Sequence, residues 1–247
     1  MRTWFITGAS RGFGARIAAE ALVTGGRVVA TGRDPRAVAA ALGENDRLIV
    51  LPLDVTDESQ AHAAVSEAVK RVGRIDVLVN NAGIELDLPF GRVSAADFDR
   101  VMAVNLRAPL LLAQALAGLF PESGGAIVNV SSIHASSAFP NAIPYACSKA
   151  GLMALTRNLA LELAPRRIRV NAVCPGYIDT PMWDEWLRTA PDPKTLAEQT
   201  AALHPLGRRG VPEDVASAVA YLASPNAGWV TGTHLVVDGG LTVRAHP

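Results

Sequence analysis

The stretch Trp4-Phe5-Ile6-Thr7-Gly8-Ala9-Ser10-Arg11-Gly12-Phe13-Gly14 passes from an apolar run into a turn with glycines spaced G-x-x-x-G-x-G, and Ala15 to Val23 then reads as a helix stopped by Gly25-Gly26. A short apolar strand, a glycine turn and a helix form the first half of a βαβ unit. Working outward, the same alternation recurs along the chain. Further strands are predicted at Arg27 to Thr31, Leu48 to Leu51, Ile75 to Val79, Ala126 to Val130, Ile168 to Val173 and Leu235 to Val237. Helices are predicted near Pro35 to Leu42, Asp57 to Val72, Ser94 to Ala103, Leu106 to Leu119, Tyr145 to Leu163 and Pro212 to Leu222. Ser94 with Asp97 suits a capping box with the shorter acid. Tyr177 to Pro205, holding several prolines with Trp183 and Trp186, reads as a looser segment. Strands spaced by helices imply an α/β fold, a parallel sheet covered on both faces. No linker or repeat interrupts the pattern, so residues 1–247 read as a single domain.

Composition agrees. Of 247 residues 49% are hydrophobic and 19% charged, which suits a buried parallel sheet and argues against disorder. Basic and acidic residues number 23 each, so no global basic field for nucleic acid exists. Cys147 and Cys174 form neither a disulfide framework nor a metal-type spacing and read as small hydrophobes; no metal is expected. Met1 to Thr7 already reads as a strand, with no leader before it. The longest apolar stretch, Ala108 to Phe120, is shorter than the roughly 20 residues that span a bilayer. A cytoplasmic protein with neither membrane nor nucleic-acid partner is the expectation.

The glycine turn carries chemistry as well as shape. At the end of the first strand of a doubly wound sheet, glycines let the backbone approach a pyrophosphate, and the following helix N-terminus supplies amide donors. A tight strand-to-helix connection would use the same residues.

Three further motifs sharpen the choice. Asn80-Asn81-Ala82-Gly83 ends the fourth strand, Ser131-Ser132 ends the fifth, and Tyr145-Ala146-Cys147-Ser148-Lys149 opens the next helix. With Thr7 to Gly14, and with Pro175-Gly176 and Asp238-Gly239-Gly240 after the last two strands, the chain resembles the short-chain dehydrogenase/reductase family over nearly its whole length. The resemblance implies a Rossmann-type doubly wound parallel sheet of seven strands, commonly in a homotetramer, and a nicotinamide cofactor. It implies Asn105, Ser132, Tyr145 and Lys149 as the catalytic set, Ser132 being preferred to Ser131 because it lies thirteen residues before Tyr145. It implies cofactor contacts from Gly8, Ser10, Arg11, Gly12, Phe13 and Gly14, from Arg33, and from Asp54 and Val55. Asn81, Ala82 and Gly83 follow, then Tyr145 and Lys149, then Pro175, Gly176, Ile178 and Thr180. Many members have glycine where this chain has Ala135, whose methyl would narrow the pocket.

In this reading Tyr145 is the proton donor or acceptor, and Ser132 holds the substrate oxygen. A free phenol titrates near 10, and lowering that by ~3 units takes ~4 kcal/mol. One positive charge ~4 Å away supplies that at an effective dielectric of ~20. Lys149, four residues on, shares the helix face. Oxidised nicotinamide would add a second positive charge. Asn105 would hold a water linking Lys149 to solvent.

At the end of the second strand, where an NAD enzyme places an acid, stand Gly32 and Arg33, with Arg11 in the turn; two guanidinium forks suit the 2′-phosphate of NADP. If the strand ends later, Asp34 takes the ribose and favours NAD. His134, Trp183 and Trp186, with Ile84, Glu85, Ile133, Phe139, Ile143, Met182 and Leu187, would line the pocket for a small-molecule carbonyl or alcohol with a largely apolar body. The tryptophans would serve equally in packing the loop of residues 177–205. Greasy surface on the helices 108–120 and after Lys149 suggests a homotetramer or homodimer. A cofactor sensor without catalysis is the competing class, and it would lack the tyrosine or lysine present here.

Overall fold

The computed structural model describes residues 1–243, so the last four residues of the predicted domain lie outside it. Its seven strands are β1 (Thr3–Ile6), β2 (Arg27–Gly32), β3 (Leu48–Pro52), β4 (Val77–Asn80), β5 (Gly125–Val130), β6 (Ile168–Pro175) and β7 (His234–Val237). All neighbours pair in parallel in the order β3-β2-β1-β4-β5-β6-β7. The order reverses between β1 and β4, and the crevice beyond the carboxyl ends of those strands is where a doubly wound sheet binds its ligand.

Side chains of successive strand residues point to opposite faces. Ile6, Ala30, Val79 and Val128 pack beneath α1 (Gly12–Val23) and α9 (Pro212–Ala223). Phe5, Val29, Leu78, Ile127 and Val170 pack beneath α3 (Glu58–Val72), α5 (Ala108–Ala117) and α6 (Ile143–Leu163). Each fully buried aliphatic side chain contributes about 1.5–3 kcal/mol. The short α2 (Pro35–Leu42) seats Val38 at the edge of the first layer.

Three features depart from the sequence reading. The predicted helices at 94–103 and 106–119 form one rod: α4 (Ala95–Met102) runs through a π turn at Ala103–Arg107 into α5. Such a turn inserts one extra residue and is frequent at functional sites, and Asn105 lies within it. The segment 177–205 is not loose, because it folds into α7 (Pro181–Leu187) and α8 (Pro193–Leu203). Thr180 and Asp192 cap those helices through their side chains, and proline occupies the first turn of each. Finally, Ser94 caps α4 by accepting from the Asp97 amide, while its hydroxyl donates to the Asp97 carboxylate, so the return bond of a full box is replaced by a side-chain one.

Candidate active site

The carboxyl end of β1 is locked to the segment after β4. Thr7 Oγ1 accepts from the amides of Asn81 and Ala82, each at 3.0 Å, and Asn81 Nδ2 donates to the carbonyls of Thr7 and Gly8. Gly8 and Gly12 have positive φ. At Gly14 a β-carbon would stand 2.2 Å from the Gly8 carbonyl oxygen, so only glycine closes this turn. A second lock ties α6 to the sheet. Asn80 Nδ2 donates to Asn129 Oδ1 at 2.8 Å, and Asn129 Nδ2 donates to Thr156 Oγ1 at 2.9 Å. All three are buried.

This scaffold holds the predicted catalytic set together. Helix α6 starts at Ile143, so Tyr145 lies in its first turn and Lys149 one turn later. Lys149 is 4% exposed and its Nζ donates to the Val130 carbonyl at 2.8 Å, 5.4 Å from the centre of the Tyr145 ring. Ser132, at the end of β5, lines the same opening as Tyr145 and accepts from the His134 amide. Ser131 turns away, donating to the Lys149 carbonyl. Asn105 is 1% exposed and grips Ile84 twice, Nδ2 donating to its carbonyl at 2.8 Å and Oδ1 accepting from its amide at 2.9 Å. Nδ2 also donates to Ser148.

The electrostatics reverse one expectation. Burial pushes the Tyr145 phenol above its ordinary value, the Glu85 charge adds to the rise, and the Ser132 hydroxyl opposes it. In the free protein the charge of Lys149 does not offset that rise, and burial lowers its own pKa to about 8 against the pull of Glu85. Burial and the charge of Asp87 raise Glu85 to about 7, Lys149 opposing. His134 is held down at about 4 by burial and by Lys149, so its ring is neutral at physiological pH.

Two openings meet at Tyr145. The first, about 490 Å³, is lined by Gly8, Ser10, Arg11, Gly12 and Phe13, by Arg33, by Asp54 and Val55, and by Asn81, Ala82, Gly83 and Lys149. Gly14 lies beneath it as the turn's spacer. Its donor set fits a dinucleotide: no side chain caps the N-terminus of α1 and no acid stands in its first turn, which leaves amide donors for an anion. Asp54 uses one carboxylate oxygen on Thr56 and keeps the other. Strand β2 ends at Gly32, and Asp34 caps α2, accepting from the amide and Nε of Arg36. Arg33 is exposed and makes no ion pair among the described residues. Arg11 lines the cleft with its guanidinium paired to Glu185 of α7 at 2.5 Å. Arg100, which no sequence pattern marks, also lines this cleft.

The second opening, about 360 Å³, is lined by Ser132, His134, Tyr145, Trp183 and Trp186 and by Pro175, Gly176 and Ile178, with Thr180 shared between the two openings. His134 stacks on Phe139 at 4.1 Å, and Trp183 meets Trp186 at 5.1 Å and Tyr177 at 5.6 Å. Trp183 is buried packing and also lines this opening, while Trp186 lines it from a more exposed position. Asp87 and Tyr177 are lining residues that the sequence reading missed. Ile143 and Ala135 do not line the cavity: Ile143 is exposed at the start of α6, and Ala135 sits in a short 3-10 turn.

A nucleotide-type cleft joined to a second cavity at a Ser–Tyr–Lys cluster defines an α/β oxidoreductase. Comparison with known proteins gives the family. Residues 8–242 match the family model described as enoyl-(acyl carrier protein) reductase. A 3-oxoacyl-[acyl-carrier-protein] reductase from Thermotoga maritima is 42% identical over 77% of this chain and 76% of its own. L-fucose dehydrogenase from Oryctolagus cuniculus is 36% identical over 98% of this chain and 85% of its own. The ligand-free aldohexose dehydrogenase of Thermoplasma acidophilum superimposes with a TM-score of 0.91 at 36% identity, covering 100% of this chain and 96% of that one. The chain belongs to the short-chain dehydrogenase/reductase family, which binds NAD(P). It is an oxidoreductase acting on CH–OH and C=O groups. Among the described residues no helix is long and apolar enough to cross a membrane, and no group of metal-binding side chains occurs.

Proposed function

We propose that the protein transfers a hydride between NADP(H) and a carbonyl or secondary alcohol, with Tyr145 as general acid and base. The observation that carries this is the convergence of Tyr145 and Ser132 on one opening where it meets the nucleotide-type cleft, with Lys149 buried behind the phenol. When bound, the nicotinamide supplies the hydride chemistry and, in its oxidised form, a positive charge. Ser132 holds the substrate oxygen against the phenol. Tyr145 gives that oxygen a proton in reduction and takes one in oxidation. Lys149 stabilises the phenolate, and Asn105 fixes the segment at Ile84 beside it. The raised phenol fits the acid role, while the base role needs both positive charges.

The unpaired Arg33, together with the capping role of Asp34, favours NADP over NAD. Sensing without catalysis is disfavoured because the whole Ser–Tyr–Lys set is present. Half-buried Leu110 and Leu111 on α5 and Met153 and Leu155 on α6 support a homodimer or homotetramer, and the free cysteines suit the cytoplasm. The test is Tyr145→Phe. Turnover of every substrate should be lost while NADPH still binds by fluorescence titration. Substantial residual turnover would remove Tyr145 from its role.

A further inference from the structure

The proposed reaction leaves two groups in the second opening unused. The carboxylates of Glu85 and Asp87 face the cavity from the segment after β4, two residues apart, so that they share one side of an extended chain. Both residues are exposed to solvent on that segment and make no hydrogen bond or ion pair among the described residues, and both act electrostatically on Tyr145, so they stand near the reacting centre. Facing them is an aromatic wall of Tyr177, Trp183, Trp186 and Phe139 with the neutral ring of His134. His134 Nδ1 is buried without a partner.

We infer that the substrate is an uncharged polyhydroxylated ring, a sugar or cyclic polyol, whose apolar ring face packs on the aromatic wall while hydroxyls near the reacting carbon donate to Glu85 and Asp87. This rests on the proposed oxidoreductase reading and names its substrate class. A wholly apolar alcohol would cover two carboxylates and leave them without partners, which is unfavourable. An anionic substrate would be repelled by them. A cation would meet the fixed charge of Lys149 behind the phenol. A hydroxyl group, being donor and acceptor, pairs with Glu85 whether that carboxyl is ionised or protonated, and near neutral pH it is both. The volume of about 360 Å³ falls in the usual range for small-molecule sites.

The test uses the full chain with saturating NADP⁺ and a panel of aldohexoses, inositol, cyclohexanol and 4-aminocyclohexanol. At least one polyol should exceed cyclohexanol about 100-fold in kcat/KM. Glu85→Gln and Asp87→Asn should each lower that polyol-to-cyclohexanol ratio about 10- to 100-fold, the range for charge-assisted hydrogen bonds, with the loss in KM. In the Tyr145→Phe background, tryptophan fluorescence should titrate saturably with the polyol, and more weakly once Glu85→Gln is added. Preference for cyclohexanol or for the amino alcohol, or an unchanged ratio in both carboxylate variants, overturns the substrate class while leaving the oxidoreductase reading standing. Absence of any turnover or fluorescence change with NADP⁺ or NAD⁺ overturns both.

Discussion

Replacing Lys149 with methionine should stabilise the fold and cripple the enzyme. In the folded protein burial lowers the lysine to about 8 from 10.5. At pH 7 the charged side chain therefore destabilises the native state by about 3 kcal/mol, at 1.36 kcal/mol per unit. The sign follows from linkage. Between pH 8 and 10.5 the unfolded chain holds the proton that the folded chain has lost, so wild-type stability rises with pH there; below pH 8 the full penalty applies. Methionine removes the penalty but leaves the Val130 carbonyl without its donor, which costs about 1–2 kcal/mol. The net expectation at pH 7 is a gain of about 1–2 kcal/mol in urea unfolding, shrinking as pH rises towards 10.5. Activity should move the other way. A unit charge 5.4 Å from the phenol ring is worth about 3 kcal/mol at an effective dielectric of ~20, so kcat/KM in the oxidative direction should fall at least about 100-fold. A variant less stable than wild type at pH 7, by a margin that does not change with pH, would refute the reasoning.

Arg33→Ser should lower kcat/KM for NADPH about 10- to 100-fold and leave that for NADH within about twofold; equal losses with both cofactors would remove Arg33 from 2′-phosphate recognition. Gly14→Ala places a methyl 2.2 Å from the Gly8 carbonyl and 2.5 Å from Asn81 Nδ2. Overpacking of this kind costs about 1–3 kcal/mol, so Tm should drop by about 3–10 °C and NADPH affinity should fall with it; an unchanged melting curve would contradict the tight turn. Glu185→Ala breaks an exposed ion pair worth at most about 1 kcal/mol, so stability should barely change, whereas NADPH should bind several-fold more tightly once Arg11 is released. Weaker NADPH binding in that variant would show that the Arg11–Glu185 pair assists the site instead of competing with it.

The strands were legible because each is a short aliphatic run bounded by a helix pattern, and a sheet buried on both faces admits little else. The helices of residues 181–203 were hidden by their prolines, which look like loop markers until Thr180-Pro181 and Asp192-Pro193 are taken as cap and first-turn pairs. The π turn left only a gap between two helical periodicities. Tyr145, Lys149 and Ser132 stood out by order and spacing. Their titration did not, because it depends on burial and on Glu85, a residue from another strand end. The pairing of Arg11 with Glu185 joins residues 174 positions apart, which no local pattern reveals.

The two locks and the charges explain one another. A buried lysine and a raised carboxyl group both oppose folding at neutral pH, and they lie within one small volume around the phenol. Something must hold them in place at a fixed geometry. The chain from Asn80 through Asn129 to Thr156 does this from beneath, pinning α6 to β4 and β5 through bonds whose loss would strand buried amide groups. The grip of Asn105 on Ile84 does it from the side, setting the segment that carries Glu85 and Asp87. Aliphatic residues at Asn129 and Thr156 would pack as well, but they would let α6 slide. A slide of one residue would turn Tyr145 and Lys149 about 100° away from the junction. The polar interior thus serves position more than stability.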